Sequence, residues 1–399
     1  MNGKVSLYVI AGELSGDRLG GSLIRNLQEI VAGGIEVRGV GGPSMASVGL
    51  ESEFPFDELS VVGLTEVVFR VPALLRRIRQ TAKSIAEFSP DALITIDCPD
   101  FSLRVAAQAK RLMPDLKVIH YVAPTVWAWR PGRARRMARS VDHVLALLPF
   151  EPPYFEEVGM TCDFVGHPLV RDFEADRLRR IEREFRDRFG PCGPDRPLVV
   201  LLPGSRTSEI RRMGPVFGDV IARIAAQHHS VEWVVPAAAP VAGMVRELVR
   251  NWPGSISVLD PCADDDEEDR TRKHVIFSMA QAAFATSGTV TLELARAGCP
   301  TVIGYRSSRL TAFLILRLVR IDTANLVNLL IERHAVPEYL LADCTAENVA
   351  AELSVLLSNP DQRAAQRSAF AEALERLGGG QLDPGKRAAQ SVLRTIVDT

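Results

Sequence analysis

Short apolar runs that end abruptly in glycine, proline or a polar residue alternate with longer helical stretches along most of the chain. In the first half they are "VSLYVIAG", "IEVRGVGG", "ALITIDCPD", "KVIHYVAP", "HVLALLPF" and "DFVGHP"; in the second, "PLVVLLPGS", "VEWVVPAA", "SISVLD", "AAFATSGT" and "PTVIGYR". Continuous apolar strands between helices predict parallel sheets covered on both faces. A length of 399 residues exceeds what one hydrophobic core usually serves. The pattern therefore predicts an α/β chain of two doubly wound domains.

The boundary falls in 169–196, where the charged stretch "RDFEADRLRRIEREFRDRFG" runs into "PCGPDRP" and a new strand starts at Leu198. Residues 1–170 then form the first domain, 171–196 a linker and 197–358 the second domain. Within the C-terminal helices of 359–399, Asn359 and Pro360 cap and open one helix and Gly378–Gly380 stop it. A last helix from about Gly385 to Val397 is expected to pack back on the first domain.

Lys and Arg number 47 against 49 Asp and Glu, a net charge of 47 − 49 = −2. So even a balance gives no overall attraction to nucleic acid, and any anionic partner must be met by a local patch. The six scattered cysteines form no C-x-x-C pair and fit a reduced, cytoplasmic chain. Glu13 and Asp17 interrupt the N-terminal apolar stretch before it becomes a signal peptide, and no run approaches the ~20 apolar residues of a membrane span. The acidic run "DDDEED", 264–269, reads as a solvated loop rather than a metal site, because like charges resist convergence.

Four strand ends carry candidate chemistry. "LITIDCPDF" places Asp97 and Asp100 around Pro99, where open α/β sheets keep their reactive groups; either carboxylate could instead cap the next helix. "AGELSGD", 11–17, lacks the G-x-G-x-x-G spacing of a nicotinamide or flavin site. Its Glu13, Ser15 and Asp17 point polar groups toward the crevice between domains, or serve the turn. "LLPGSRTSE", 201–209, sets Gly204, Ser205 and Arg206 before a helix starting near Ser208, an anion-binding arrangement without the lysine of an ATP-hydrolysing P-loop. "ATSGTVTLE" repeats the logic: Ser287, Gly288 and Thr289 offer amides and hydroxyls, and Glu293 can accept hydrogen bonds from a ribose. Together the last two suggest a nucleotide diphosphate held between two helix starts.

"HYVAPTVWAWRPGRARRMARS", 120–140, interleaves His120, Trp127 and Trp129 with Arg130, Arg133, Arg135, Arg136 and Arg139. Such a segment suits single-stranded nucleic acid, lipid phosphate, or simply a tryptophan core with a solvated arginine face. The absence of a basic excess elsewhere disfavours the first. Upstream, 61–80 mixes Val and Leu with arginines, as an interfacial segment or a buried helix flank does.

In this order, "AGELSGD", "IDCPDF", "HYVAPTVWAWR", "LLPGSR", "SGTVTLE" and "NLVNLL" resemble the lipid-A-disaccharide synthase family over about residues 5 to 355. The resemblance implies a GT-B fold, two Rossmann-like domains with a crevice between them, and no metal or cofactor. It implies an inverting transfer from UDP-2,3-diacylglucosamine to 2,3-diacylglucosamine 1-phosphate, giving a β-1,6 lipid A disaccharide and UDP. Asp97 would be the general base; Gly204, Ser205, Arg206, Glu209, Ser287, Gly288, Thr289, Glu293 and Asn328 would form the UDP-sugar site. Glu13, Ser15 and His120 would face the acceptor or crevice, and Arg130, Arg133, Arg135 and Arg136 would meet lipid phosphate. The family further implies peripheral attachment to the inner face of the cytoplasmic membrane of a Gram-negative bacterium, and often a homodimer. Two other readings stay open: a GT-B enzyme acting on a UDP-amino sugar, such as a hydrolysing epimerase, and a non-catalytic lipid or nucleotide binding module.

Overall fold

The computed structural model describes residues 3–59, 64–128, 132–170, 173–190, 192, 193, 195–228, 230–262, 266–307, 322–379 and 383–397. The chain divides into two compact units, Met1–Pro168 with Gly380–Thr399, and Leu169–Gly379.

The first unit holds strands β1 (Val5–Ala11), β2 (Ile35–Val40), β3 (Ala92–Ile96), β4 (Lys117–Tyr121), β5 (His143–Ala146) and β6 (Thr161–Phe164) in the order β2-β1-β3-β4-β5-β6. Every pairing is parallel. All five residues of β3 are buried, as expected of an uninterrupted apolar run between two helical layers. One core lies on each face: Leu93, Val118 and Val144 on one, Ile94, Ile119 and Leu145 on the other. The helix Pro384–Val397 completes the second of these through Ala388, Ala389 and Val392.

The second unit holds β7 (Leu198–Leu202), β8 (Glu232–Pro236), β9 (Ile256–Leu259), β10 (Ala282–Thr286), β11 (Thr301–Tyr305) and β12 (Glu338–Leu340), ordered β12-β11-β10-β7-β8-β9 and again parallel throughout. The stretch 171–196 is more than a connector. It contains the helix Ala175–Phe189, which buries Ile181, Phe185 and Phe189 and belongs to the second unit. Asn359 caps the helix Pro360–Arg376 by accepting from the Asp361 and Gln362 amides. The acidic run departs from the loop reading: Asp266 opens the helix Asp266–Met279, and residues 263–265 lie outside the described residues. Carboxylates in a first helical turn are favoured by the helix dipole. Those here also pair forward, Glu267 with Arg270 at 3.2 Å and Asp269 with Lys273 at 2.7 Å.

Each sheet has one point where the chain reverses its direction of travel across the strands. In the first unit it lies between β1 and β3, in the second between β7 and β10. Loops at the carboxyl ends of such strands diverge and leave a crevice, the usual ligand position in doubly wound sheets. The four candidate motifs leave from these four strands.

Candidate active site

At the end of β3 the backbone turns through two consecutive left-handed residues, Asp97 (φ 50°) and Cys98 (φ 45°). Non-glycine residues in that region cost about 1–3 kcal/mol each and persist only where surroundings enforce them. Here the enforcement is visible. The Asp97 amide donates to the Tyr121 carbonyl at 2.9 Å, and its carbonyl accepts from the Ser102 hydroxyl at 3.0 Å. The helix Pro99–Leu112 then starts at once. Asp97 is half-buried, and desolvation pushes its carboxyl above the ordinary carboxylate range, opposed by the Cys98 amide and the Arg133 charge. Asp100 is exposed in the first helical turn, and the helix has no side-chain cap.

Pairing of Ala11 with Ile96 brings the turn after β1 beside this one. Glu13 and Ser15 are exposed there, and the charges of Glu13, Asp97 and Asp100 all act on the Cys98 thiol, which burial pushes up to about 11. Asp17 does not join them. It is fully buried and accepts from the amides of Gly42 at 2.8 Å, Ser44 at 2.8 Å and Met45 at 3.0 Å. The expectation that Asp17 points into a crevice is therefore corrected: it caps the turn after β2.

His120, also fully buried, places Nδ1 2.8 Å from the Thr95 hydroxyl, while Nε2 has no hydrogen-bond partner. Burial lowers its pKa to about 4, so the ring is neutral. Trp127 is buried and its indole N–H donates to Glu151 at 3.2 Å; Glu151 also accepts from the Leu147 and Leu148 amides. Sequence reasoning missed this clamp, because nothing at Glu151 alone marks its partner 24 residues upstream. Arg135 and Arg136 are exposed on the helix Gly132–Met137, whereas Arg133 is half-buried. Trp129 and Arg130 lie outside the described residues. Of the 61–80 segment, residues 61–63 and the side chains of 64–71 do too; Arg77 is held bidentately by Glu58, both contacts 2.8 Å.

In the second unit, Gly204 has φ +121°, and a Cβ there would come within 2.7 Å of Glu209. The close approach lets Glu209 fold back: its carboxylate accepts from the Ser205 amide at 3.1 Å and the Arg206 amide at 3.3 Å and pairs with Arg206 Nη1 at 3.0 Å. Those two amides are thus already occupied, which the spacing of the motif did not reveal. Arg206 is otherwise exposed.

The Ser287 hydroxyl donates to the Ala324 carbonyl at 3.0 Å, Gly288 and Thr289 are exposed, and the helix Val290–Arg296 follows with half-buried Glu293 in its first turn. Glu293 lines a pocket with Phe173, Arg270 and His274. Asn328 is buried, its amide wholly engaged: Oδ1 accepts from Ala335 and Val336, and Nδ2 donates to the Val336 carbonyl. The Asn328 side chain thus holds together its own loop. Among the described residues no group of three or more His, Cys, Asp or Glu converges as a metal site, and no helix is long and apolar enough to cross a membrane.

The fold is that of two-domain GT-B type α/β enzymes. UDP-GlcNAc 2-epimerase from Neisseria meningitidis bound to UDP-GlcNAc superposes with a TM-score of 0.61 over 99% of this chain and 100% of its own, at 11% identity. Sequence takes the assignment further. The family described as Lipid-A-disaccharide synthetase matches residues 7–392. Lipid-A-disaccharide synthase of Ruegeria pomeroyi is 47% identical over 97% of this chain and 94% of its own, and that of Rhodospirillum centenum 44% over 98% and 94%. The chain belongs to the lipid-A-disaccharide synthase family of glycosyltransferases.

Proposed function

We propose that the protein transfers the sugar of UDP-2,3-diacylglucosamine to 2,3-diacylglucosamine 1-phosphate with inversion, giving the β-1,6 disaccharide 1-phosphate and UDP. The observation that carries this reading is Asp97, a half-buried carboxylate fixed by a left-handed backbone at the switch point of its sheet. A sugar hydroxyl is too weakly acidic to ionise beforehand, so a carboxylate must take its proton during attack. The O6–C1 bond forms as the bond from C1 to the UDP oxygen breaks; UDP leaves with that electron pair and the proton passes to Asp97.

The leaving diphosphate needs its charge spread, which preorganised donors accomplish without a proton. Glu209 occupies the Ser205 and Arg206 amides, so the available donors are the Arg206 side chain and the Ser287–Thr289 turn, with Gly204 permitting the tight turn. Glu293 accepts from the ribose, and Asn328 orders the loop beside it. Glu13 and Ser15 orient the acceptor, while His120 supports the strand pair carrying Asp97. Acylated substrates require work at a membrane surface, where Arg135 and Arg136, with Arg130, meet lipid phosphate. Residence at the inner face of the cytoplasmic membrane and a homodimer belong to the same reading.

The test is product mass after mixing the protein in detergent micelles with both substrates and a chelator. A tetraacyl disaccharide phosphate is expected. Turnover of water-soluble UDP-N-acetylglucosamine without disaccharide, or strict dependence on Mg²⁺, would overturn the proposal.

A further inference from the structure

The turn Ser287–Thr289 after β10 is held from two strands away. β11 separates β10 from β12, and its Ile303 pairs with Ala285 on one side and Glu338 on the other. Neighbouring strands stand about 4.8 Å apart, so Glu338 lies on the order of 10 Å from Ala285 across the sheet. The main chain of Ala324 bridges that gap. Its carbonyl accepts from the Ser287 hydroxyl at 3.0 Å, and its amide donates to the Glu338 carboxylate at 3.1 Å. The buried Thr323 hydroxyl donates to the same carboxylate at 2.6 Å and accepts from the Asn325 amide at 3.1 Å. Asn328 sets where Glu338 stands, because the Ala335 and Val336 amides that it holds lead directly into β12.

We propose that Glu338 is a positioning residue of the donor site: through Ala324 it fixes the Ser287–Thr289 turn in the conformation that receives the diphosphate of the UDP-sugar. This rests on that turn being the diphosphate cradle. Both carboxylate oxygens are directed into the 323–324 segment, Oε1 to the Ala324 amide and Oε2 to the Thr323 hydroxyl. Burial opposes a charge at this place and pushes the Glu338 carboxyl upward, while the same two donors pull it down. What the charge supplies is bond strength, since hydrogen bonds accepted by a carboxylate are roughly twice as strong as neutral ones. Ala324 is thus gripped at its amide by Glu338 and at its carbonyl by Ser287. A turn fixed before the anion arrives loses less conformational freedom on binding, and affinity rises accordingly.

Calorimetric titration of the whole chain with UDP tests this, with KM for donor and acceptor measured in detergent micelles. Glu338→Ala should weaken UDP binding and raise the donor KM roughly tenfold or more, the equivalent of one hydrogen bond to a charged group, with the acceptor KM unmoved. Thr323→Val, nearly the same shape without the hydroxyl, should have the same effect, and Thr323→Ser should bind UDP as wild type does. Impaired folding alone would lower the active fraction, and with it kcat, and leave both KM values where they were. That outcome, or a UDP affinity in Glu338→Ala equal to wild type, would overturn the proposal. Gly288→Val distinguishes the two readings, since a Cβ at Gly288 meets nothing within 4 Å yet would obstruct an anion seated on the turn. If Gly288→Val binds UDP normally the turn is not the cradle, whereas a Gly288→Val that fails to bind beside a normal Glu338→Ala removes only the role of Glu338.

Discussion

Ser391 Oγ lies 2.8 Å from His143 Nε2, tying the helix Pro384–Val397 to β5 across 248 residues of sequence. The same hydroxyl donates to Asp163 at 2.6 Å, so it accepts from the His143 N–H, and Nδ1 is left to accept from Thr161 at 2.6 Å. Removing this buried serine strands the His143 N–H, whereas Asp163 keeps Arg394 at 2.7 Å. Ser391→Ala is expected to cost about 1–3 kcal/mol, the penalty for unsatisfied buried polar groups. Urea denaturation measures it, and unchanged stability would show that water replaces the hydroxyl.

His143 also makes this contact pH-dependent. Burial lowers its pKa below the ordinary 6.5, against a smaller raising effect of Asp163. In acid the unfolded chain therefore takes up the proton first, and the stability His143 contributes is present above pH 6.5 and lost as pH falls through the lower folded value. His143→Asn should lose stability less steeply than wild type between pH 7 and 5. Parallel slopes in denaturant titrations at the two pH values would contradict this.

Asp17 offers a second stability test, because its carboxylate satisfies three amides at the turn following β2. Asn in its place would turn an NH₂ toward one of those donors. Hydrogen bonds to a charged group are worth about 1.5–3 kcal/mol each, so Asp17→Asn should destabilise by at least about 2 kcal/mol. A denaturation midpoint equal to wild type would mean the turn holds itself.

Glu151 runs in the opposite direction with pH. Burial raises its pKa from 4.5 to about 7, despite the Leu148 and Leu147 amides and the Trp127 indole. Its contribution is present below pH 4.5 and lost as pH rises through about 7, because ionising it in place is costly. Glu151→Gln, which cannot ionise, should gain on wild type by up to about 3 kcal/mol between pH 5 and 8. A stability difference that stays constant over this range would refute the assignment.

The architecture was legible because a strand buried on both faces must be apolar throughout: β3 and β7 stand out for that reason alone. The positions of Asp97, Glu13, Arg206 and Ser287 at strand ends were legible too, since the ends of apolar runs mark the ends of strands. What remained hidden was which partner each polar group takes. Asp17 is the last residue of a motif that looks like a ligand turn, yet its amides come from Gly42 to Met45. Glu209 reads as a helix residue, yet it fills the cradle ahead of any phosphate. Asn328 matches a family motif, yet its amide is spent on Ala335 and Val336. Such pairings depend on tertiary closure and not on local spacing.

If Asp97 takes the acceptor's proton in the proposed transfer, its loss slows the chemical step itself. The most direct measurement is the single-turnover rate of Asp97→Asn beside Asp100→Asn, with both variants checked for native folding and UDP binding. A loss on the order of 10²-fold or more for Asp97→Asn, with intact UDP binding and near-normal Asp100→Asn, is expected. A near-normal rate in a folded Asp97→Asn would contradict it.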